Sequence, residues 1–276
     1  MPIDPDHQAR RRAPRIAPAM GAATLVGAMW FCLTPGGAAE AAPLDCARLK
    51  DAPIPGMRIT SATLEPAGPF KAGGPGPSQA LELPARCRVQ GVLVPTSDSE
   101  IGFEVWLPAS GWNGRFQGVG NGGFAGDIGY SGLANAVRAG YAAASTDTGH
   151  KAGGTDARWA FGHPEKLVDF GSRSIHLTAV AGKQLAAAYY GAPVRWSYFA
   201  SCSNGGRQAL MEAQRFPEDY DGIIAMAPAY DWTGLFMNFI WNQQVLSVPG
   251  AAIPPAKAPA IAAAVLADCD KLDGVA

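Results

Sequence analysis

Short apolar stretches alternate with amphipathic ones through the middle of the chain, and this order predicts an α/β fold. Residues 101–107 alternate apolar and polar positions, as expected of a strand with one buried face. Residues 174–190 repeat apolar side chains at helical spacing, and Gly191 can end that helix. Strands that alternate with helices indicate a mostly parallel sheet that is covered on both faces.

The same pattern predicts further elements on either side of this helix. The other predicted strands are residues 115–119, 141–146, 196–200 and 222–227, and the other predicted helix is residues 205–216. Residues 42–100 are rich in Pro and Gly, which favours loops, and residues 71–77 are predicted as a turn or exposed loop.

The first forty residues have the pattern of an export signal. Four arginines (Arg10, Arg11, Arg12 and Arg15) precede an apolar stretch at 16–33, and Ala-Glu-Ala follows at 39–41. A positive segment, an apolar segment and small cleavage residues are typical of a signal peptide, here residues 1–41. A transmembrane anchor is the alternative, but several Pro and Gly residues interrupt the stretch. The sequence therefore predicts a secreted or periplasmic protein without a stable membrane anchor.

Composition excludes two classes of protein. The 276 residues carry 22 Lys and Arg against 23 Asp and Glu, and 48% of them are hydrophobic. So many hydrophobic residues exclude a disordered chain. The near-neutral balance argues against a nucleic-acid partner, because such proteins need a clustered basic face.

If the protein is exported, its cysteines are expected to form disulfides, because thiols outside the cytoplasm are usually paired. The cysteines that remain after residue 41 are Cys46, Cys87, Cys202 and Cys269. Four cysteines allow three connectivities, and the spacing does not choose among them. There is no C-x-x-C motif, so a metal–thiolate site is not expected.

The candidate chemistry centres on Ser203, which lies between a predicted strand and a predicted helix. This is the setting of a nucleophile elbow, a sharp turn that needs small residues two positions before and after the serine. Ser201 and Gly205 occupy those positions. At the start of the helix, the helix dipole and the N–H of Asn204 can stabilise a developing oxyanion. The alternative is that Ser203 only caps the helix.

A second oxyanion donor is expected from a loop after an earlier strand. Asn121, Gly122 and Gly123 follow the predicted strand 115–119, and their small side chains would let the backbone approach a substrate carbonyl. We therefore assign Gly122 as a backbone donor. The alternative is a tight turn that uses glycine for its positive φ.

A nucleophilic serine needs a histidine base and a carboxylate that orients it. In α/β-hydrolases the chain order is serine, then acid, then histidine. The four histidines, His7, His150, His163 and His176, all precede Ser203. His150 ends a predicted strand and is the best placed of them, but the order argues against it. The sequence therefore predicts that the triad's acid and base are absent from this chain.

Three stretches resemble the tannase and feruloyl esterase family of α/β-hydrolases, which also contains mono(2-hydroxyethyl) terephthalate hydrolases. They are Asp-Thr-Gly-His at 147–150, the segment 162–171, and Cys-Ser-Asn-Gly-Gly-Arg-Gln at 202–208 with its continuation at 214–223. Family members have glycine where this chain has Ser201. The resemblance implies that residues 42–230 are the N-terminal part of an α/β-hydrolase catalytic domain and that residues 231–276 are the beginning of a truncated lid domain.

The resemblance also implies roles for particular residues. Ser203 would be the nucleophile, and the N–H of Asn204 would contribute to the oxyanion hole. Cys46 and Cys87 would form a disulfide. Cys202 matches a cysteine that in the family is bonded to one beside the catalytic histidine, and this chain has no His-Cys pair. Cys202 and Cys269 are therefore expected to lack their natural partners.

A calcium site is the one cofactor that the resemblance implies. The segment 269–276 matches the first eight positions of the family's calcium loop. Asp270, Asp273 and the carbonyl of Val275 would be ligands, since calcium prefers oxygen donors. The later ligands of that loop do not occur in this sequence.

Together these features predict a secreted serine carboxylic-ester hydrolase that acts on small aromatic acyl esters through an acyl-enzyme. The chain would be a C-terminally truncated form that is inactive alone. A non-catalytic secreted binding protein on a hydrolase scaffold is the main alternative. A serine peptidase of the same fold is a third possibility, which the family segments argue against.

Overall fold

A computed structural model describes residues 44–71 and 80–273. The predicted signal peptide, residues 1–41, lies outside the described residues, as does Val275. Among the helices that are described, none combines the length and the apolar character needed to cross a bilayer.

The described residues contain nine strands in two sheets. In chain order these are β1 (Met57–Glu65), β2 (Gly68–Phe70), β3 (Leu81–Leu83), β4 (Arg86–Leu93), β5 (Ile101–Pro108), β6 (Arg115–Val119), β7 (Ala142–Thr146), β8 (Trp196–Cys202) and β9 (Gly222–Met226). Seven of them form a sheet in the order β1-β4-β5-β7-β6-β8-β9, and β2 pairs with β3 separately.

The large sheet changes direction in its middle. Strands β1, β4, β5 and β7 pair antiparallel. Strands β7, β6, β8 and β9 pair parallel. Parallel strands bring their carboxyl ends to one edge, so the loops after β6, β7 and β8 meet there. The predicted α/β class is confirmed, and the parallel half of the sheet carries the candidate chemistry.

Helices and single helical turns connect these strands. The α-helices are α1 (Tyr130–Arg138), α2 (Pro164–Val168), α3 (Ser174–Tyr190), α4 (Asn204–Arg215), α5 (Trp232–Leu246) and α6 (Ala258–Asp273). A π-helical turn joins α2 to α3, and the 3-10 turns are Cys46–Asp51, Arg158–Ala160 and Pro255–Lys257.

Strand β7 shows why the sheet is covered on both faces. Ala142 and Ala144 join the buried cluster beneath α3, whereas Ala143 joins the cluster beneath α1. Successive residues of a strand point to opposite faces, so an all-alanine run lets a helix approach from each side. Gly182 of α3 lies so close to Phe116 that a Cβ there would overlap the ring.

The predicted elements agree closely with the structure after residue 100. Strand β6 and helix α3 have their predicted bounds, and α4 begins one residue earlier than predicted. Before residue 100, where no strand was predicted, the structure has strands β1 to β4. The turn predicted at 71–77 lies, apart from Lys71, outside the described residues. In β4 the buried charge of Arg86 is paired with Glu65, and Arg88 donates to Glu104 at 2.9 and 2.8 Å.

The disulfide that the family resemblance implied is confirmed. Cys46 and Cys87 are bonded, with their Cα atoms 5.6 Å apart, and the bond ties the first 3-10 turn to β4. Cys202 and Cys269 are unbonded and exposed. That these two cysteines lack their natural partners stays a prediction.

Helices α5 and α6 expose large apolar side chains. Met237 and Trp241 of α5 are 66% and 62% exposed, and Leu266 of α6 is 60% exposed. No residue of α5 is buried. An apolar surface of this kind marks a place where something else is expected to pack.

Candidate active site

The turn at Ser203 has the backbone geometry of a nucleophile elbow. Ser203 joins β8 to α4 with φ 61° and ψ −120°, a conformation that side-chain-bearing residues rarely adopt. Backbone hydrogen bonds hold Ser203 in this conformation: its N–H donates to Met226 O at 3.1 Å, and its carbonyl accepts from Ala229 N at 3.0 Å. The strained turn sets Ser203 exposed above the carboxyl end of β8.

The side chain of Ser203 does not cap the helix. Ser203 has the N-cap position of α4, yet its hydroxyl makes no capping hydrogen bond. The capping alternative requires that bond to an N–H of the first turn. The hydroxyl is therefore available for chemistry.

Small residues surround the turn, as an elbow requires. A Cβ on Gly205 would overlap the side chain of Ser201, and one on Gly206 would overlap Met226 O. A Cβ on Gly120, in the loop opposite, would also press on Ser201 Oγ. The serine that replaces the family's glycine therefore fits because both of its neighbours, Gly120 and Gly205, are glycines.

The loop after β6 presents a free N–H beside the elbow. Phe124 N donates to Gly154 O at 2.8 Å, and Ala125 N donates to Gly122 O at 3.1 Å. Within the described residues Gly122 N–H has no hydrogen-bond partner, and a Cβ on Gly122 would meet open space. The N–H of Asn204, the first residue of α4, has no acceptor inside its own helix. These two N–H groups remain the predicted oxyanion donors.

An aromatic cavity of about 350 Å³ lies next to the elbow. Phe124, Trp159, Phe170 and Trp232 contribute to its wall, together with Arg207 from the first turn of α4. The Arg207 guanidinium lies 5.1 Å from the Phe170 ring centroid, and burial lowers the pKa of Arg207 to about 10. A flat aromatic group matches this lining in size and chemistry.

The described histidines are all engaged away from Ser203. His150 Nε2 donates to Phe124 O at 2.8 Å, its ring stacks on Trp159, and burial lowers its pKa. His163 Nδ1 lies 2.7 Å from Asp98, and His176 Nδ1 lies 2.6 Å from Asp219. No described histidine is hydrogen-bonded to Ser203. The absence of the triad's base from this chain stays a prediction.

Of the three predicted calcium ligands, only Asp270 has a described side chain. Asp270 is exposed on α6, and Asp273 is the last residue of that helix. Across residues 44–71 and 80–273, no three His, Cys, Asp or Glu side chains are grouped to hold a metal ion. The calcium site therefore stays a prediction.

Sequence reasoning missed the buried side chains that support the elbow. Gln208 and the side chain of Asn121 bond to each other beneath the two N–H groups. Arg207 donates to Phe170 O at 2.9 Å and Gly171 O at 2.8 Å, which ties α4 to the π-helical turn. The only signal in the sequence was the position of Arg207 and Gln208 inside the elbow motif.

The parallel half-sheet, the elbow and the adjoining loop define an α/β-hydrolase. The family model for tannase and feruloyl esterase matches residues 87–276. The chain therefore belongs to the tannase and feruloyl esterase family.

Curated relatives agree with this assignment. An uncharacterized esterase of Xanthomonas campestris pv. campestris is 48% identical over 232 residues, which are 84% of this chain and 40% of that protein. A probable feruloyl esterase of Arthroderma benhamiae is 36% identical and matches 84% of this chain and 45% of its own length. The chain thus spans less than half the length of these relatives.

Solved structures show the same fold. A crystal structure of an esterase from Aspergillus oryzae is similar with a TM-score of 0.69 and 32% identity, over 74% of this chain and 41% of that one. Tannin acyl hydrolase from Aspergillus niger has a TM-score of 0.64 and 26% identity, over 85% of this chain and 44% of its own.

Proposed function

We propose that this chain is the nucleophile-bearing part of a carboxylic-ester hydrolase that acts on aromatic acyl esters. One observation carries the proposal. Ser203 is held at positive φ between β8 and α4, with a hydroxyl that is not used for capping. A structural serine gains nothing from that strain, whereas a nucleophile gains access to substrate.

The chemistry would proceed through an acyl-enzyme. Ser203 Oγ attacks the ester carbonyl carbon and gives its proton to a base, and the carbonyl oxygen takes the negative charge. The N–H groups of Gly122 and Asn204 stabilise that charge. The alcohol leaves with the proton, and water then releases the acid from Ser203 by the same steps.

The base and the acid of the triad would come from a further segment of the protein. Two findings support this: the described histidines bond elsewhere, and the relatives are more than twice as long as the matched part. We define the extended chain as residues 1–276 followed by the residues that the same gene encodes next. If there are none, the C-terminal part of the Xanthomonas relative takes their place.

The substrate class follows from the aromatic cavity and the relatives. Rings of Phe124, Trp159, Phe170 and Trp232 line a cavity that Arg207, in the first turn of α4, also borders. Relatives are described as feruloyl esterases and a tannin acyl hydrolase. Ferulate, gallate and terephthalate half-esters are therefore the acyl groups to compare.

Export to the periplasm or the medium is part of the proposal. The Cys46–Cys87 disulfide supports an oxidising compartment, and the arginine-led apolar segment supports a signal peptide. N-terminal sequencing of exported protein should begin near Ala42. A mature protein that retains residues 10–33 would contradict export by cleavage.

A fluorophosphonate probe and p-nitrophenyl esters test the activity. The extended chain should label at Ser203 and turn over aromatic esters but not peptides, and Ser203→Ala should lower kcat on the order of 10⁴-fold or more. Ser110→Ala, in an exposed loop after β5, is the matched control and should keep full activity.

The same assays separate the alternatives. Residues 1–276 alone should not reach about 1 s⁻¹, since no base is in place. An extended chain that binds aromatic esters without labelling or turnover would support the binding protein instead. Full activity in Ser203→Ala would exclude Ser203 as the nucleophile.

A further inference from the structure

The two segments that carry the candidate oxyanion donors are joined by buried amide side chains. Asn121 Oδ1 accepts from Asn204 Nδ2 at 3.2 Å and from Gln208 Nε2 at 3.0 Å. In return, Gln208 Oε1 accepts from the backbone N–H of Asn121 at 3.3 Å. Asn204 and Gln208 are fully buried, and Asn121 is 7% exposed.

Every amide atom of this network has a partner. Asn121 Nδ2 donates to Ala125 O at 3.0 Å, which closes the loop on itself. Asn204 Oδ1 accepts from Arg207 Nε at 2.7 Å. A satisfied buried network is rigid, because breaking any bond leaves a polar group without water to replace it.

Gln208 also accepts a hydrogen bond from a backbone N–H of the loop after β6. Its Oε1 occupies the N–H of Asn121, and carbonyls of the loop region occupy those of Phe124 and Ala125. Gly122 and Gly123, which follow Asn121, keep N–H groups without a partner among the described residues. A glycine-rich segment has many backbone states to lose, so a buried clamp at its first residue limits them.

We propose that Gln208 is a positioning residue that holds the N–H of Gly122 at a fixed place relative to that of Asn204. The two segments are 87 residues apart in sequence at this contact, and Gln208 bonds to the loop from the helix that carries Asn204. Preorganised donors stabilise charge without having to move during the reaction. This proposal rests on the proposed function and adds a residue that does not touch the substrate.

The test replaces Gln208 by methionine, which has similar size and no amide. In the extended chain, Gln208→Met should lower kcat on aromatic esters about 10- to 100-fold with KM within about twofold, because only transition-state charge loses support. The matched control is Gln214→Met, an exposed glutamine of the same helix, which should leave both constants unchanged.

A thionoester substrate separates positioning from a general loss of structure. Sulfur accepts hydrogen bonds poorly, so an intact oxyanion hole favours the oxygen ester over its thiono analogue. Gln208→Met should lower that preference about tenfold. Leu185→Ala, a buried core variant on α3, should lower stability without changing the preference.

Amide exchange provides a readout that does not need turnover. The N–H of Asn121 should exchange faster in Gln208→Met than in the parent, and Gln208→Asn, which is one methylene shorter, should be intermediate in exchange and kcat. Unchanged kcat, preference and exchange in Gln208→Met would overturn the proposal and leave the proposed function intact. A parent extended chain without fluorophosphonate labelling would overturn both.

Discussion

Two regions of this molecule reverse the usual distribution of polar and apolar side chains. In the strand-end region, residues 119–126, 145–150 and 201–208, polar side chains such as Gln208 are fully buried. In α5 and α6, large apolar side chains such as Trp241 are exposed. Buried polar and exposed apolar groups are the informative exceptions in a folded protein.

The two regions differ in whether their unusual side chains find partners within the described chain. The amides of the strand-end region bond to one another, so that region is complete within the described chain. In α5, Trp232 and Phe236 pack against Phe124, but no residue of the helix is buried. The comparison teaches that the polar groups around Ser203 are satisfied within the described residues, whereas much of the apolar surface of α5 stays exposed there.

The largest effect on the free energy of unfolding is expected from replacing the buried carboxyl of Asp147. Burial raises its pKa to about 7, although Oδ1 accepts from the N–H groups of Gly102 and Gly149. Below about pH 4 the group is protonated in both the folded and unfolded states. Between about pH 4 and 7 only the unfolded state loses the proton, so stability falls as pH rises and stays lower above 7.

Asp147→Asn keeps the acceptor oxygen and removes the charge. At pH 8 it should raise the free energy of unfolding on the order of 2–4 kcal/mol, and at pH 4 it should change little. Urea unfolding at both pH values measures this, with Asp51→Asn at an exposed site as the control. Equal effects at the two pH values would mean that Asp147 is ionised throughout.

A smaller loss of stability is expected when one methyl group is added at the elbow. Gly205→Ala should cost about 1–3 kcal/mol, because its Cβ overlaps the side chain of Ser201. Ser201→Gly in the same chain should restore part of that loss. Gly206→Ala is the matched control, since its Cβ meets the backbone at Met226 and Ser201→Gly should not rescue it. Equal rescue of both variants would contradict this packing.

The smallest effect is expected on the exposed face of α5. Ile240 is 59% exposed, so Ile240→Gln in residues 1–276 should change the free energy of unfolding by less than about 0.5 kcal/mol. The same change in the extended chain should cost more if the added segment covers α5. A cost above about 1 kcal/mol in residues 1–276 alone would show that this face is already buried.

The sequence predicted the elements whose pattern is local. Gly191 ends α3 in a left-handed conformation, as its position after the periodic apolar residues indicated. Strands β1 and β4 were missed because they carry arginines and glutamates. Those charges are sheltered only by pairing across strands, such as Arg88 with Glu104 and Glu65, and such pairs leave no periodic trace.

The candidate site was likewise predictable only where its residues form a local pattern in the sequence. Ser203 was named because a turn between a strand and a helix is a local feature, and Gly122 because it lies in a loop directly after a predicted strand. The clamp between Asn121 and Gln208 was not, since each amide looks like an ordinary polar residue until the fold joins them. The π-helical turn that Arg207 contacts was also hidden, because it depends on contacts from another helix.

The exposed thiol of Cys202 is a site at which the elbow can be labelled chemically. It is unbonded and adjoins Ser203, so an alkylating reagent reaches the turn without any substrate. By the family resemblance, a completed protein would tie this sulfur to a cysteine beside the base. Alkylation at Cys202 would then be fast in residues 1–276 and blocked in the extended chain. A thiol titration could thus report assembly of the catalytic centre before any ester is hydrolysed.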